Sequence, residues 1–287
     1  MRIRDLIKNK INDKDALLIL EHITSYSYSA LITHDEDELS DQQVAEYNKI
    51  MAKLENGVPL PYVLGFQYFF EHKFAVSPDV LIPRPDTELL VEFAIATSLE
   101  NLKKNIKSAG NLRILELGTG SGCIAISVAK KLQGLLPEYN NIEIIAADIS
   151  DKALKLAQFN AQKLSTSVTF VKSDWYNNLV LPTSEEEKFD LILSNPPYIS
   201  FDDRHLANLT HEPQLALTAP ENGLSYLKHI IINAPKYMKN AGVIALEHGY
   251  DQADQVHNIM KEANYQNISL IHDYGNNPRI THGIKIS

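Results

Sequence analysis

The most distinctive chemistry-bearing residues in this 287-residue chain are Asn195-Pro196-Pro197-Tyr198, which follow directly on the apolar run Phe189-Asp190-Leu191-Ile192-Leu193-Ser194. An amide or conjugated amine nitrogen is a poor nucleophile because its lone pair is delocalised. A protein that makes such a nitrogen react must hold both N–H bonds and aim the nitrogen at its electrophile. Asn195 offers a side-chain oxygen to one N–H, and the backbone carbonyl of Pro196 can take the other. The two prolines stiffen the turn and add no N–H to compete for these acceptors. Tyr198 supplies a flat wall for a planar group. The plain alternative is a stiff turn after a buried strand, with no chemical role.

A second cluster lies upstream. Ile114-Leu115-Glu116-Leu117 runs into Gly118-Thr119-Gly120-Ser121-Gly122. Glycines allow positive φ and close approach of a ligand to the backbone, and the helix that follows presents free N–H groups. The turn alone suits a dinucleotide pyrophosphate as well as S-adenosylmethionine, or no ligand at all. Three features favour S-adenosylmethionine. A dinucleotide fingerprint wants Gly or Ala one place after Gly122, where this chain has Cys123. The next strand ends in Asp148, which can accept from both ribose hydroxyls, a role nicotinamide enzymes also use. The third strand is followed by Asp174-Trp175, a carboxylate beside an aromatic, which suits an adenine ring. Core filling is the alternative role for Trp175, and turn capping for Asp174. The sulfonium of such a cofactor needs no metal, so in-line positioning would dominate.

The elements that must position these residues follow from periodicity. From about residue 111 the chain alternates strand and helix: strands at Arg113–Leu117, Glu143–Ala147, Val168–Lys172, Phe189–Ser194 and Gly242–Leu246, and helices at Cys123–Leu132, Asp151–Leu164, Leu224–Met238 and Asp251–Asn264. Strands near 267–272 and 279–286 close the pattern. This predicts an α/β fold, a mostly parallel Rossmann-like sheet with helices on both faces and an antiparallel C-terminal strand. Ligands in such sheets bind beyond the carboxyl ends of the strands. Residues 1–75 show helical spacing of apolar residues, including Leu6, Leu17, Leu20, Ile50 and Leu54, with Ser40 and Gln43 as a capping box. Residues from about 66 to 82, with Phe66, Tyr68, Phe70, Phe74 and Val76, suggest a hairpin, and a helix is expected from about Asp86. The expected division is therefore a helical bundle over 1–75, a linker over 76–110 and the α/β domain over 111–287.

Composition bounds the possibilities. The chain is 44% hydrophobic and 22% charged, with a net charge of −9 and one cysteine, Cys123. No intramolecular disulfide is possible, and the N-terminal residues do not read as a signal peptide. No apolar run approaches the ~20 residues of a membrane span. A soluble cytoplasmic protein without metal is expected, and the acidic balance argues against a long nucleic-acid footprint.

Taken together, these motifs resemble the release-factor glutamine methyltransferases, the PrmC or HemK proteins, over nearly the whole chain. Gly57-Val58-Pro59-Leu60-Pro61-Tyr62-Val63-Leu64-Gly65 and Val80-Leu81-Ile82-Pro83-Arg84-Pro85-Asp86-Thr87-Glu88 resemble family signatures, with Asp86 where Glu is usual. The glycine turn and Asn195-Pro196-Pro197-Tyr198-Ile199 match, as do Glu212-Pro213, Leu246-Glu247-His248-Gly249 and Asp273-Tyr274-Gly275 with Arg279. The resemblance implies an N-terminal bundle that helps dock class I peptide chain release factors, and methylation of the glutamine in their Gly-Gly-Gln loop. It also implies a cofactor site of Glu116, Gly118, Thr119, Gly120, Ser121, Gly122, Asp148, Asp174, Trp175 and Asn195, and a substrate and catalytic site of Asn195, Pro196, Pro197 and Tyr198. Glu116 is a candidate for holding the methionine amino group, or else an exposed strand-end carboxylate. Arg84 faces cofactor, substrate or solvent on this reading, and Glu247 and His248 are either site residues or structural. The competing functions are a methyltransferase acting on an exocyclic amine of a nucleic-acid base, which must first be flipped out, and a non-catalytic protein that kept the fold.

Overall fold

A computed structural model describes residues 1–7, 13–105, 111–136 and 141–286. The chain forms two compact units, Met1–Phe66 and Gln67–Ser287. The break falls at the start of the expected hairpin. The end of the expected linker, residues 106–110, lies outside the described residues.

The first unit contains α1 (Ile3–Ile7), α2 (Asp13–Thr24), α3 (Tyr28–Thr33), α4 (Asp41–Glu55) and α5 (Leu60–Leu64). Ile3, Leu6, Ile19, Leu20, Leu31 and Ile50 form its buried core. Ser40 and Gln43 make the reciprocal capping box expected at the start of α4. Gly65, at φ 77°, ends α5 in the left-handed conformation.

The second unit opens with the hairpin β1 (Phe66–Phe69) and β2 (His72–Ala75). It is shorter than the sequence suggests. Phe70 and Glu71, at φ 42° and 67°, make its two-residue turn, a conformation that usually selects Asn or Gly. After a short 3₁₀ turn at Pro85–Thr87 come α6 (Glu88–Asn105), β3 (Leu112–Leu117), α7 (Cys123–Leu135), β4 (Ile142–Asp148), α8 (Asp151–Lys163), β5 (Thr169–Lys172) and β6 (Phe189–Ser194). They are followed by α9 (Ser225–Asn233), β7 (Met238–Glu247), α10 (Ala253–Glu262), β8 (Tyr265–His272) and β9 (Pro278–Lys285). The helix expected over Leu224–Met238 stops at Asn233, because Pro235 cannot continue it. The strand that follows therefore starts earlier than Gly242, at Met238, and reaches its partner through a register shift opposite Phe189 and Leu191.

The seven strands are ordered β5-β4-β3-β6-β7-β9-β8. The first five run parallel, while β9 is antiparallel to both β7 and β8. β3 and β6 are covered on both faces, which is why they read as continuous apolar runs. One face packs on α6 and α7 through Leu90, Ile124, Ile126 and Val128. The other packs on α9 and α10 through Leu227, Ile230, Val256 and Met260. Order reverses at β3, with β4 on one side and β6 on the other, which places a crevice at the carboxyl ends of these strands.

Candidate active site

The register of two neighbouring strands brings the two motifs together. Leu117 of β3 pairs with Ser194 of β6, and the Ser194 hydroxyl donates to the Leu117 carbonyl at 2.7 Å. The next residues on the two strands, Gly118 and Asn195, therefore emerge side by side. Both line a cavity of about 320 Å³.

The glycine turn is built by backbone geometry. Gly118, Gly120 and Gly122 all have positive φ, at 73°, 54° and 82°. The N–H groups of Gly118 and Thr119 both donate to the Ala147 carbonyl on β4. A Cβ on Gly120 would meet nothing within 4 Å, so the turn leaves open space there. A Cβ on Gly122 would lie 2.7 Å from Ile126 and 3.0 Å from Ala157, so that glycine lets the turn seat on the helices behind it. Asn160 of α8, fully buried, donates to the Ser121 carbonyl at 2.9 Å and exchanges two hydrogen bonds with Ala75. It ties the turn to the hairpin, a role that spacing alone did not suggest.

Glu116 is not the exposed carboxylate that was one expectation. It is 1% exposed and lies behind the turn rather than on the cavity wall. Its Oε2 accepts from the Thr119 hydroxyl at 2.7 Å and the Ala125 N–H at 3.0 Å, and its Oε1 has no partner among the described residues. Burial pushes its pKa up to about 8.

Asp148, at the end of β4, lines the cavity. Its Oδ2 accepts from the Gly120 N–H at 2.8 Å and its Oδ1 from the Ser150 N–H at 2.9 Å. Desolvation raises its pKa, and those backbone bonds oppose the rise. A carboxylate offers about four acceptor directions, so capacity remains on the cavity side. Trp175 lines the wall and, partly buried, also packs on the second core cluster: its ring lies against Gly118 and Tyr226, with centroids 5.2 Å apart to the latter. Its φ of 51° is strained for a bulky residue. Such strain marks positions fixed by their surroundings. Asp174 lines the same wall and accepts from Asn177 at 3.1 Å.

Of the second motif, Asn195 and Pro197 line the cavity, while Pro196 and Tyr198 do not. Asn195 Nδ2 donates to the Thr87 hydroxyl at 3.1 Å. Tyr198 turns its hydroxyl to Glu247 Oε1 at 3.3 Å, and burial raises its pKa strongly. Its carbonyl accepts from Gln252, which also binds the Asn222 carbonyl. Gly223, at φ 87°, packs so closely that a Cβ would sit 1.9 Å from the Tyr198 oxygen. Glu247 is 1% exposed, with its pKa raised by burial to about 7. His248 is wholly buried and bonded to the Gly249 carbonyl and the Thr281 hydroxyl. Arg84 lines the cavity and is paired with the buried carboxylate of Glu212, which also accepts from the Ile82 N–H. Thr87, Asn160, Glu212, Gln252 and Tyr226 were not expected at the site. Partners far away in sequence hide these contacts; the mid-helix Asn160, a weak helix former, carried a local signal, and Thr87 and Glu212 lie within the motifs that carry the family resemblance.

A glycine turn with open space above it, a carboxylate with spare acceptor capacity and a flat ring over the turn fit S-adenosylmethionine. Fold and site thus define an S-adenosylmethionine-dependent methyltransferase. A methyltransferase-domain family model matches residues 108–281, and the model of the PrmC N-terminal domain matches residues 4–65. The chain is 37% identical to the release factor glutamine methyltransferase of Haemophilus influenzae, over 98% of this chain and 95% of the relative. It is 38% identical to that of Bordetella pertussis (94% and 93%) and 35% identical to that of Escherichia coli (94% and 91%). The chain belongs to the release factor glutamine methyltransferase family. Among solved structures the fold is similar to the N-terminal domain of human METTL16 in complex with SAH, with a TM-score of 0.52 and 16% identity over 100% of this chain and 99% of that one. It is also similar to the catalytic domain of the same human protein in complex with a 3′UTR hairpin, with a TM-score of 0.55 and 12% identity over 94% and 93%.

Proposed function

We propose that this protein transfers a methyl group from S-adenosylmethionine to the side-chain amide nitrogen (N5) of the glutamine in the Gly-Gly-Gln loop of class I peptide chain release factors, in the cytoplasm. The observation that carries this reading is the emergence of Gly118 and Asn195 from paired strands into one cavity. The names of the relatives support the substrate.

When bound, the cofactor supplies an activated methyl on a sulfonium. The backbone of Gly118, Thr119, Gly120 and Ser121 lies against it, with Gly122 and Glu116 shaping the turn from behind. Asp148 accepts from the ribose hydroxyls, and Asp174 and Trp175 hold the adenine. Asn195 Oδ1 accepts one N–H of the glutamine amide and so aims the nitrogen along the transfer line; Pro196, which does not line the cavity, stiffens the turn instead of holding the second N–H. Tyr198 acts through backbone placement and its bond to Glu247, and Pro197 walls the amide. After transfer the nitrogen is acidic and gives its proton to water, so no dedicated base is required.

The test is direct. The protein is incubated with methyl-labelled cofactor and either a class I release factor, the same factor with its Gly-Gly-Gln glutamine replaced by alanine, or nucleic acid. Label should enter the first alone. Label in nucleic acid instead would overturn the reading, and label in none of them would leave a binding protein.

A further inference from the structure

Thr87 lies in the 3₁₀ turn before α6, is 2% exposed and borders the cavity. Its hydroxyl oxygen accepts from Asn195 Nδ2 at 3.1 Å. An amide is planar, so holding Nδ2 on Thr87 turns Oδ1 to the opposite side. The buried Glu247, at the end of β7, keeps one carboxylate oxygen, Oε2, without a hydrogen-bond partner among the described residues. The Thr87 and Tyr198 hydroxyls both favour its charged form, Arg279 does so as well, and Asp86 opposes them. Thr87 has one hydroxyl proton. Turned toward the carboxylate, it leaves only lone pairs facing Asn195, and only the NH₂ end of that amide can meet them.

We propose that Thr87 is a positioning residue: seated between Glu247 and Asn195, it selects which end of the Asn195 amide faces the substrate. This rests on the reading of Asn195 as acceptor for the glutamine amide. Without the Thr87 oxygen the Asn195 amide is free to turn over and present N–H groups to the N–H groups of the substrate, which repels the amide it should hold. The hydroxyl would thus matter through its oxygen and not through its bulk, which separates the proposal from simple packing of the turn.

The experiment compares Thr87→Val, Thr87→Ser and Asn195→Ala with the parent in single-turnover methyl transfer to a whole class I release factor at saturating cofactor. Affinity for S-adenosylhomocysteine by calorimetry and melting temperature are measured beside it. Thr87→Val should slow transfer about 10- to 100-fold, the size of effect expected from a misplaced reacting group. Its S-adenosylhomocysteine affinity and melting temperature should stay near the parent's, and Thr87→Ser should recover most of the rate. If Thr87→Val does not fold, Thr87→Ala takes its place in the comparison with Thr87→Ser. A parental rate for Thr87→Val beside a crippled Asn195→Ala would overturn the role of Thr87 and leave that of Asn195 standing. A rate loss that tracks lost affinity or lost folded protein, or a serine variant as slow as the valine one, would equally overturn it. A parental rate for Asn195→Ala would remove the acceptor reading and this inference together.

Discussion

Asp148 has two tasks. It shapes the turn by accepting the Gly120 and Ser150 N–H groups, and in the proposed site it accepts two ribose hydroxyls. Asp148→Ala should therefore weaken cofactor binding by ~1.5–3 kcal/mol for each charged hydrogen bond lost, and calorimetry showing unchanged affinity would refute the assignment. Asn195 has its effect elsewhere. Asn195→Ala should leave the fold intact, since the residue lies beyond the end of β6, and should slow single-turnover transfer by two to three orders of magnitude, ~3–4 kcal/mol. A rate within a few-fold of the parent would return the motif to a stiff turn. Gly118, Asp148, Trp175 and Asn195 were legible because each ends or follows a strand with a readable pattern. Glu116 was open to two readings, holding the methionine amino group or an exposed strand-end carboxylate; the second fails because Thr119 and Ala125 fold back over it, a contact that no local pattern announces. Thr87 and Glu212 lie in motifs that resemble family signatures, but their roles were hidden because their partners, the Asn195 amide and the Arg84 guanidinium, are more than a hundred residues away.

Among the elements, the turn before α9 holds the Asn195–Tyr198 segment in place. The Gly223 position leaves no room for a Cβ against the Tyr198 carbonyl, so Gly223→Ala must displace the Tyr198 backbone or open the turn. We expect a loss of about 1–3 kcal/mol in stability, the usual cost of overpacking, and a larger drop in transfer than in cofactor affinity. Thermal denaturation with calorimetry checks both. β3 and β7 carry a second consequence. Glu116 and Glu247 are buried near their carboxyl ends with pKa values raised from 4.5 to about 8 and about 7. Between 4.5 and those values the folded state holds protons that the unfolded state has released, so stability should fall as pH rises through that window. Glu116→Gln should flatten the slope of melting temperature against pH measured without cofactor; an unchanged slope would rule out Glu116 as its source. The strand and helix types of the second unit could be read from periodicity. Periodicity passes over the end of α9, although Pro235 is a readable helix breaker, and it misses the hairpin turn because Phe70 and Glu71 hold positive φ where Asn or Gly is usual.

On the scale of the whole molecule, the division at Phe66 and Gln67 suggests a division of labour. Among the described residues, those that line the cavity fall between Pro78 and Tyr226, in the second unit. Deleting residues 1–66 should leave S-adenosylhomocysteine affinity measurable while methylation of a whole release factor falls sharply; a truncated chain that methylates as well as the full one would refute a docking role for the first unit. Among the described residues no helix is long and apolar enough to cross a membrane. The sheet has one more property. β9 lies between β7 and β8 although it follows both in the chain. Among the described residues β8 is an edge strand whose one strand partner is β9, so without β9 the β7 edge would be unpaired and β8 would have no place in the sheet. Residues 278–285 pair with both, so the strand that ends in Glu247 beside the site is protected from edge-to-edge association by a segment distant from it in sequence.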